Sequence, residues 1–184
     1  MEIMTKTEQQ FNDNIEICRS IFAKKTIDYG TSWRILRASS LTDQIFIKAN
    51  RIRSIEEKGK QKIQEDIKDE FIAIVNYSVM ALIQLYHKPK GSGDIKIPAD
   101  EVISLYTKYI TAARDLMLNK NHDYGEAWRD MRISSLTDII LMKILRLKQI
   151  EDNSGETIIS EGPEGSYNDM INYAIFALIK ISEQ

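Results

Sequence analysis

A polar pattern that occurs twice constrains this chain more than anything else in it. Asp28-Tyr29-Gly30, Trp33-Arg34, Arg37 and Ser39-Ser40-Leu41-Thr42-Asp43 recur, ungapped, as Asp123-Tyr124-Gly125, Trp128-Arg129, Arg132 and Ser134-Ser135-Leu136-Thr137-Asp138. Both copies run on through a shared pattern, with Ile45, Lys48, Arg51, Ile55 and Glu56 matched by Ile140, Lys143, Arg146, Ile150 and Glu151. A repeat that fills half a chain implies a unit that buries its apolar face against the other copy.

The periodicity inside each copy is helical. Phe11, Ile15, Cys18 and Phe22 mark a first helix that starts at a Thr7–Gln10 capping box and ends near Lys25. Asp28-Tyr29-Gly30 reads as a turn, followed by a short helical piece over 32–37. Ser40 and Asp43 read as a second capping box, opening the seam Leu41, Ile45, Lys48, Ile52, Ile55, which Gly59 closes. The polar segment 60–65 leads to a third helix over 66–86, apolar on nearly every face and therefore buried between others. The second copy repeats this order with Asp100 as N-cap, a seam of Leu136, Ile140, Lys143, Leu147 and Ile150, and a last helix over 167–181. Thr157-Ile158-Ile159 reads as a stray extended piece in the long loop before it. The expected fold is all-α: two tandem three-helix repeats packed as a pseudo-twofold bundle. Residues 1–90 form the first repeat, 91–99 the linker and 100–184 the second repeat, in one compact domain with a shared core.

A net charge of −2 argues against broad, non-specific nucleic-acid binding. Cys18 is the single cysteine, so no intrachain disulfide can form, which suits a reducing compartment. No signal-peptide core opens the sequence, and the longest apolar run, 71–85, is interrupted by polar residues and falls short of the roughly 20 residues a membrane span requires. A cytoplasmic protein without membrane contact is the expectation.

Lys48 and Lys143 each sit inside an apolar seam, where an ammonium must reach the surface or meet an anion. Arg51 and Arg146 follow three residues later and share their helix surface. Asn76 and Asn172 place a buried amide on the third helix of each repeat, either to fix register or to hold a ligand. Asp43 and Asp138 read first as helix caps, Asp28 and Asp123 as turn residues, and Trp33 and Trp128 as core anchors or stacking surfaces. With Tyr29 and Tyr124 for a base, and Arg34, Arg37, Arg129 and Arg132 for phosphate, they complete a candidate set for binding a phosphorylated nucleotide, once per repeat. Among the acidic residues Glu65, Asp66, Asp69 and Glu70, the last three are the candidate Mg²⁺ ligands, although placement at a helix N-terminus explains them more readily. His87 and His122 are not equivalent in the repeat, which leaves no zinc or nucleophile–histidine constellation.

The combination of Asp-Tyr-Gly, Trp-Arg, Ser-Leu-Thr-Asp, the seam lysine and Asn-Tyr resembles the helical family called nucleotide modification associated domain 1. The resemblance covers both halves of the chain. It implies an association with nucleotide or DNA-base modification in bacteria and phages. It is also distantly similar to the all-α MazG-like pyrophosphatases, which bind Mg²⁺ through paired acidic motifs. Asp13-Asn14-Ile15-Glu16 and Asp66-Ile67-Lys68-Asp69 match those motifs only approximately, and Lys108 and Thr111 replace the first in the second repeat. Two readings stay open. One is a nucleotide-binding protein, with Mg²⁺-dependent hydrolysis as its catalytic form and a homodimer as a compatible assembly. The other is a non-catalytic scaffold, or a subunit that recognises a modified base, in which the repeated charges are structural ion pairs.

Overall fold

The computed structural model describes residues 4–59 and 66–184, so the segment 60–65, with Glu65, lies outside the described residues. The described chain is helical, with no strand, in the order α1 (Lys6–Tyr29), α2 (Ala38–Lys58), α3 (Ile67–Tyr86), α4 (Ala99–Tyr124), α5 (Ile133–Asp152) and α6 (Pro163–Ser182). Short 3-10 turns at Ser32–Ile35 and Ala127–Asp130 join the first two helices of each repeat, and a third, Ser92–Asp94, lies in the linker. None of these helices is long and apolar enough to cross a membrane.

Several boundaries differ from the sequence reading, each for a local reason. The N-cap of α1 is Thr5, whose hydroxyl accepts from Glu8 N–H at 3.2 Å, so Thr7 is already helical. The helix does not stop near Lys25, because nothing between Lys25 and Tyr29 breaks it. It ends at Gly30, which adopts φ +69° and donates its N–H to the Thr26 carbonyl. Gly125, at φ +58°, ends α4 in the same way, so Asp-Tyr-Gly is a helix end and not a free turn. The N-caps of α2 and α5 are Arg37 and Arg132, with no side-chain cap bond, so the Ser-Leu-Thr-Asp capping boxes do not form. Pro98, not Asp100, precedes α4. Helix α6 begins four residues earlier than expected, at Pro163, whose fixed φ suits a first helical position. Thr157–Ile159 forms no strand, and Ile158 and Ile159 are exposed.

Packing follows the apolar seams. Leu41, Ile45, Ala49 and Ile52 of α2 are fully buried, as are Leu136, Ile140, Ile144 and Leu147 of α5. Burying each of the larger side chains is worth about 1.5–3 kcal/mol. Helices α3 and α6 pack on each other, α2 packs on α3 and α5, and α5 on α6; α1 and α4 pair along the flank of this four-helix centre. Reciprocal contacts show the pseudo-twofold relation. Thr42 donates to Glu151 at 2.7 Å, and its counterpart Thr137 donates to Glu56 at 3.0 Å. Lys148 pairs with Asp43 at 2.7 Å, and Arg53 pairs with Asp138 at 3.5 Å. Asp43 and Asp138 therefore hold the opposite repeat instead of capping their own helices.

Candidate functional site

In the first repeat, α1, the 3-10 turn, α2 and α3 enclose a cleft of about 640 Å³. Tyr29 and Lys25 reach it from the end of α1, Trp33 from the turn, Lys48 from α2, and Asp69, Glu70, Ala73 and Asn76 from α3. Asn76 is buried and donates to the Cys18 carbonyl at 3.2 Å, while its Oδ1 accepts from Tyr106 at 2.6 Å. This amide ties α3 to both α1 and α4. Burial raises the Cys18 thiol to about 12 and pushes the Tyr106 hydroxyl well up, so both stay neutral beside it. Trp33 packs edge-on against Phe22, and its buried Nε1–H has no acceptor among the described residues.

The seam lysine does find a carboxylate. Lys48 lies 3.3 Å from Glu70, which is buried and also accepts from Arg51 at 2.5 Å. Among the described residues Glu70 meets both of these cations, each about a quarter exposed. Lys25 has no ion-pair or hydrogen-bond partner among the described residues, and it lines the same cleft.

The equivalent place in the second repeat is arranged differently. Lys120 corresponds to Lys25 and Lys143 to Lys48, and Asp169 lies between them, 3.3 Å from Lys120 and 2.6 Å from Lys143. Counting from the shared Asn-Tyr pair, Asp169 corresponds to Ala73, and Glu70 corresponds to Ser166. The carboxylate has moved by one helical turn. Arg146 is exposed and lines a smaller cleft with Lys143 and Asp169. Trp128 is closed in, stacked 4.3 Å from Phe176 on one side with the Arg129 guanidinium 4.4 Å from its ring centroid. Met80, which lines the first cleft, stands where the second repeat has Phe176. Asn172 keeps the bond of its counterpart, donating to the Ala113 carbonyl at 3.0 Å, but its Oδ1 has no partner among the described residues. Tyr106 corresponds to Phe11 in the repeat, which carries no hydroxyl.

Arg34, Arg37, Arg129 and Arg132 do not join these clefts. Arg34 is 5 % exposed and donates to the carbonyls of His87 at 2.6 Å and Asp94 at 3.3 Å, which anchors the linker. Arg129 donates to Thr7, Gln10 and Glu126, tying the second 3-10 turn to α1. Arg37 and Arg132 are exposed, each in a separate cavity at the start of its own α2 or α5. Asp28, Asp123 and Tyr124 are exposed at the helix ends.

Asp66, Asp69 and Glu70 are not gathered into a ligand set. Asp66 caps α3 by accepting from Lys68 N–H, and Glu70 is engaged by Lys48 and Arg51. Among the described residues no group of three or more His, Cys, Asp or Glu side chains is placed to hold a metal ion. Lys25, Lys120 and Asp169 are the site residues that the motif reading overlooked. Lys25 and Lys120 precede the Asp-Tyr-Gly motif in the same register, a signal present in the sequence, whereas Asp169 has no acidic counterpart to mark it.

No curated protein and no solved structure matches the chain. Both copies of the duplicated helical unit, residues 25–85 and 120–181, match the nucleotide modification associated domain 1 family, and the chain belongs to that family.

Proposed function

We propose that the first repeat binds a phosphorylated nucleotide in the cleft between Trp33 and Lys48. One observation carries this reading. The second repeat holds a carboxylate, Asp169, between Lys120 and Lys143, whereas the first repeat keeps both lysines, as Lys25 and Lys48, and puts Ala73 in place of the acid. A phosphate between Lys25 and Lys48 would stand where the second repeat supplies its own anion. A lysine point charge suits phosphate, and Trp33 or Tyr29 offers a ring to a base. The Trp33 Nε1–H and the Asn76 amide add polar groups to a cleft whose volume suits a small-molecule ligand. Family membership points the same way, toward nucleotide modification. Asp69 lines the cleft without a cationic partner among the described residues and is the carboxylate left to meet a Mg²⁺ carried in with the phosphates.

The test is calorimetric titration with nucleoside mono-, di- and triphosphates, with and without Mg²⁺, while pyrophosphate release is followed in parallel. Binding is expected to be weakened at least tenfold by Lys25→Met, which removes an exposed cation without stranding a buried partner. Absence of binding across the panel, or binding unaffected by Lys25→Met, would overturn the proposal in favour of a scaffold held together by ion pairs. Binding without pyrophosphate release would assign recognition and not hydrolysis.

A further inference from the structure

We propose that a second cavity, at the start of α2, is a separate anion site that takes the phosphate group of a small molecule. It measures about 740 Å³ and lies between the linker, the 3-10 turn of the first repeat and the end of α5. Arg34, Arg37, Lys88 and Lys90 line it, together with Ala38 and Ser39 at the first turn of α2. That helix has no side-chain cap, so its leading N–H groups have no intrahelical partner, and the helix dipole adds partial positive charge. The independent observation is Arg34. It is 5 % exposed, it lines the cavity, and its protein partners are carbonyl oxygens at Nε and Nη2 while Nη1 has no acceptor among the described residues. Carbonyl dipoles satisfy geometry but supply no net negative charge, and Asp94 and Glu101 act on this buried guanidinium through space without forming an ion pair with it among the described residues.

The one lining carboxylate is Glu151, whose Oε1 is already occupied by Thr42 and Tyr167. The described lining thus holds four cations and one acid, with Asp94 and Glu101 acting on Arg34 from outside it. Among the described residues the twofold-related cavity of the second repeat has Arg132 and Lys180 facing Glu56 and Asp66. The cationic excess is thus a property of this cavity and not a requirement of the repeat. Apolar walls from Ile35 and Leu85, and a chain of net charge −2, favour a small phosphorylated molecule over a nucleic acid. Trp33 and Arg34 sit on the same turn, and Leu36 lines both cavities, so occupancy here would be felt at the nucleotide cleft.

The test uses the full chain carrying Ala73→Asp, which places an acid in the first cleft, so that failure of the nucleotide reading leaves this result interpretable. Lys25→Met replaces it if that variant does not fold. Titration with pyrophosphate at physiological ionic strength is followed by proton–nitrogen NMR. The backbone amides of Ala38 and Ser39 and the Arg34 Nε–H are expected to shift together along one saturable curve. Arg37→Gln combined with Lys90→Gln, both at exposed positions, should weaken that binding at least tenfold while the spectrum elsewhere is unchanged. Amides that stay still, or binding unaltered in the double variant, would overturn the proposal. Tighter binding of a single-stranded oligonucleotide than of pyrophosphate would also overturn it, by reassigning the face to nucleic acid.

Discussion

The two repeats keep the same lysines, tryptophan and asparagine at matching positions, yet one is open where the other is closed. In the second, Asp169 joins Lys120 to Lys143, and Phe176 and Arg129 both pack on the Trp128 ring. In the first, Ala73 and Met80 occupy those two places, and Trp33, Lys25 and Lys48 border a cleft. The duplicated pattern therefore presents two different arrangements of the same residues. A shared residue records common structure, and the unshared neighbours decide whether it meets solvent, a ligand or its own chain.

The largest expected effect separates the two carboxylates. Glu70 is buried and engaged by both Lys48 and Arg51, whereas Asp169 is a fifth exposed and one of its partners, Lys120, is half exposed. Pairs nearer the surface are worth about 1 kcal/mol or less. Glu70→Ala, which removes a buried acceptor of charged hydrogen bonds, should therefore destabilise the protein by about 2 kcal/mol and Asp169→Ala by about 1 kcal/mol, read from urea midpoints at constant m-value. Equal losses would mean that the two ion-pair sites are energetically alike despite their different burial.

The next contrast lies in the buried amides. Tyr106→Phe removes the donor to Asn76 Oδ1 and leaves a buried acceptor unpaired, for a loss of about 1–2 kcal/mol. Phe11→Tyr adds a hydroxyl at the equivalent position of the other repeat, where Asn172 Oδ1 lacks a partner. It should lower the melting temperature by less than Tyr106→Phe does. A Phe11→Tyr variant as unstable as Tyr106→Phe would show that the twofold relation does not extend to this contact.

Met80→Phe tests the openness itself. It gives the first repeat the ring that closes Trp128 in the second. Nucleotide binding should fall about tenfold, equivalent to about 1.4 kcal/mol, with the melting temperature of the empty protein unchanged or raised, since Met80 is already 9 % exposed against the core. Undiminished binding would place the ligand elsewhere.

Helical periodicity made the architecture legible: the seams of Leu41, Ile45 and Ile52 and of Leu136, Ile140 and Leu147 are buried as their spacing implies. The site was only partly legible. The lysine in each seam signalled an anion, but the partners Glu70 and Asp169 differ by one turn, and only tertiary packing shows which carboxylate reaches which ammonium. Arg34 and Arg129 looked like phosphate ligands because a guanidinium beside a tryptophan suits that task. Backbone carbonyls from the linker and polar side chains from α1 claimed them instead. Asp43 and Asp138 fitted a local capping rule that lost to an ion pair across the repeat interface, a contact with no local signature.

The smallest expected effect concerns that interface, where the repeats are most alike. Glu56 and Glu151 accept from the opposite repeat's Thr137 and from Thr42, and burial raises both carboxyls above their usual range, more than these hydrogen bonds lower them. A carboxyl whose folded-state pKa is raised favours the folded state when protonated. Its contribution is complete below the unfolded pKa and is lost as pH rises through the folded value. Ionised at neutral pH, the two acids therefore weaken the interface, and acidification through the raised range should recover stability from them. Glu56→Gln with Glu151→Gln keeps an acceptor for each threonine and removes the titration. The double variant should melt about 2 °C above the wild type at pH 7.5, with the gap closing as acidification protonates the two carboxyls. A gap that persists or widens on acidification would show that the ionised carboxylates stabilise the interface, and that the two reciprocal contacts work as charge-assisted bonds.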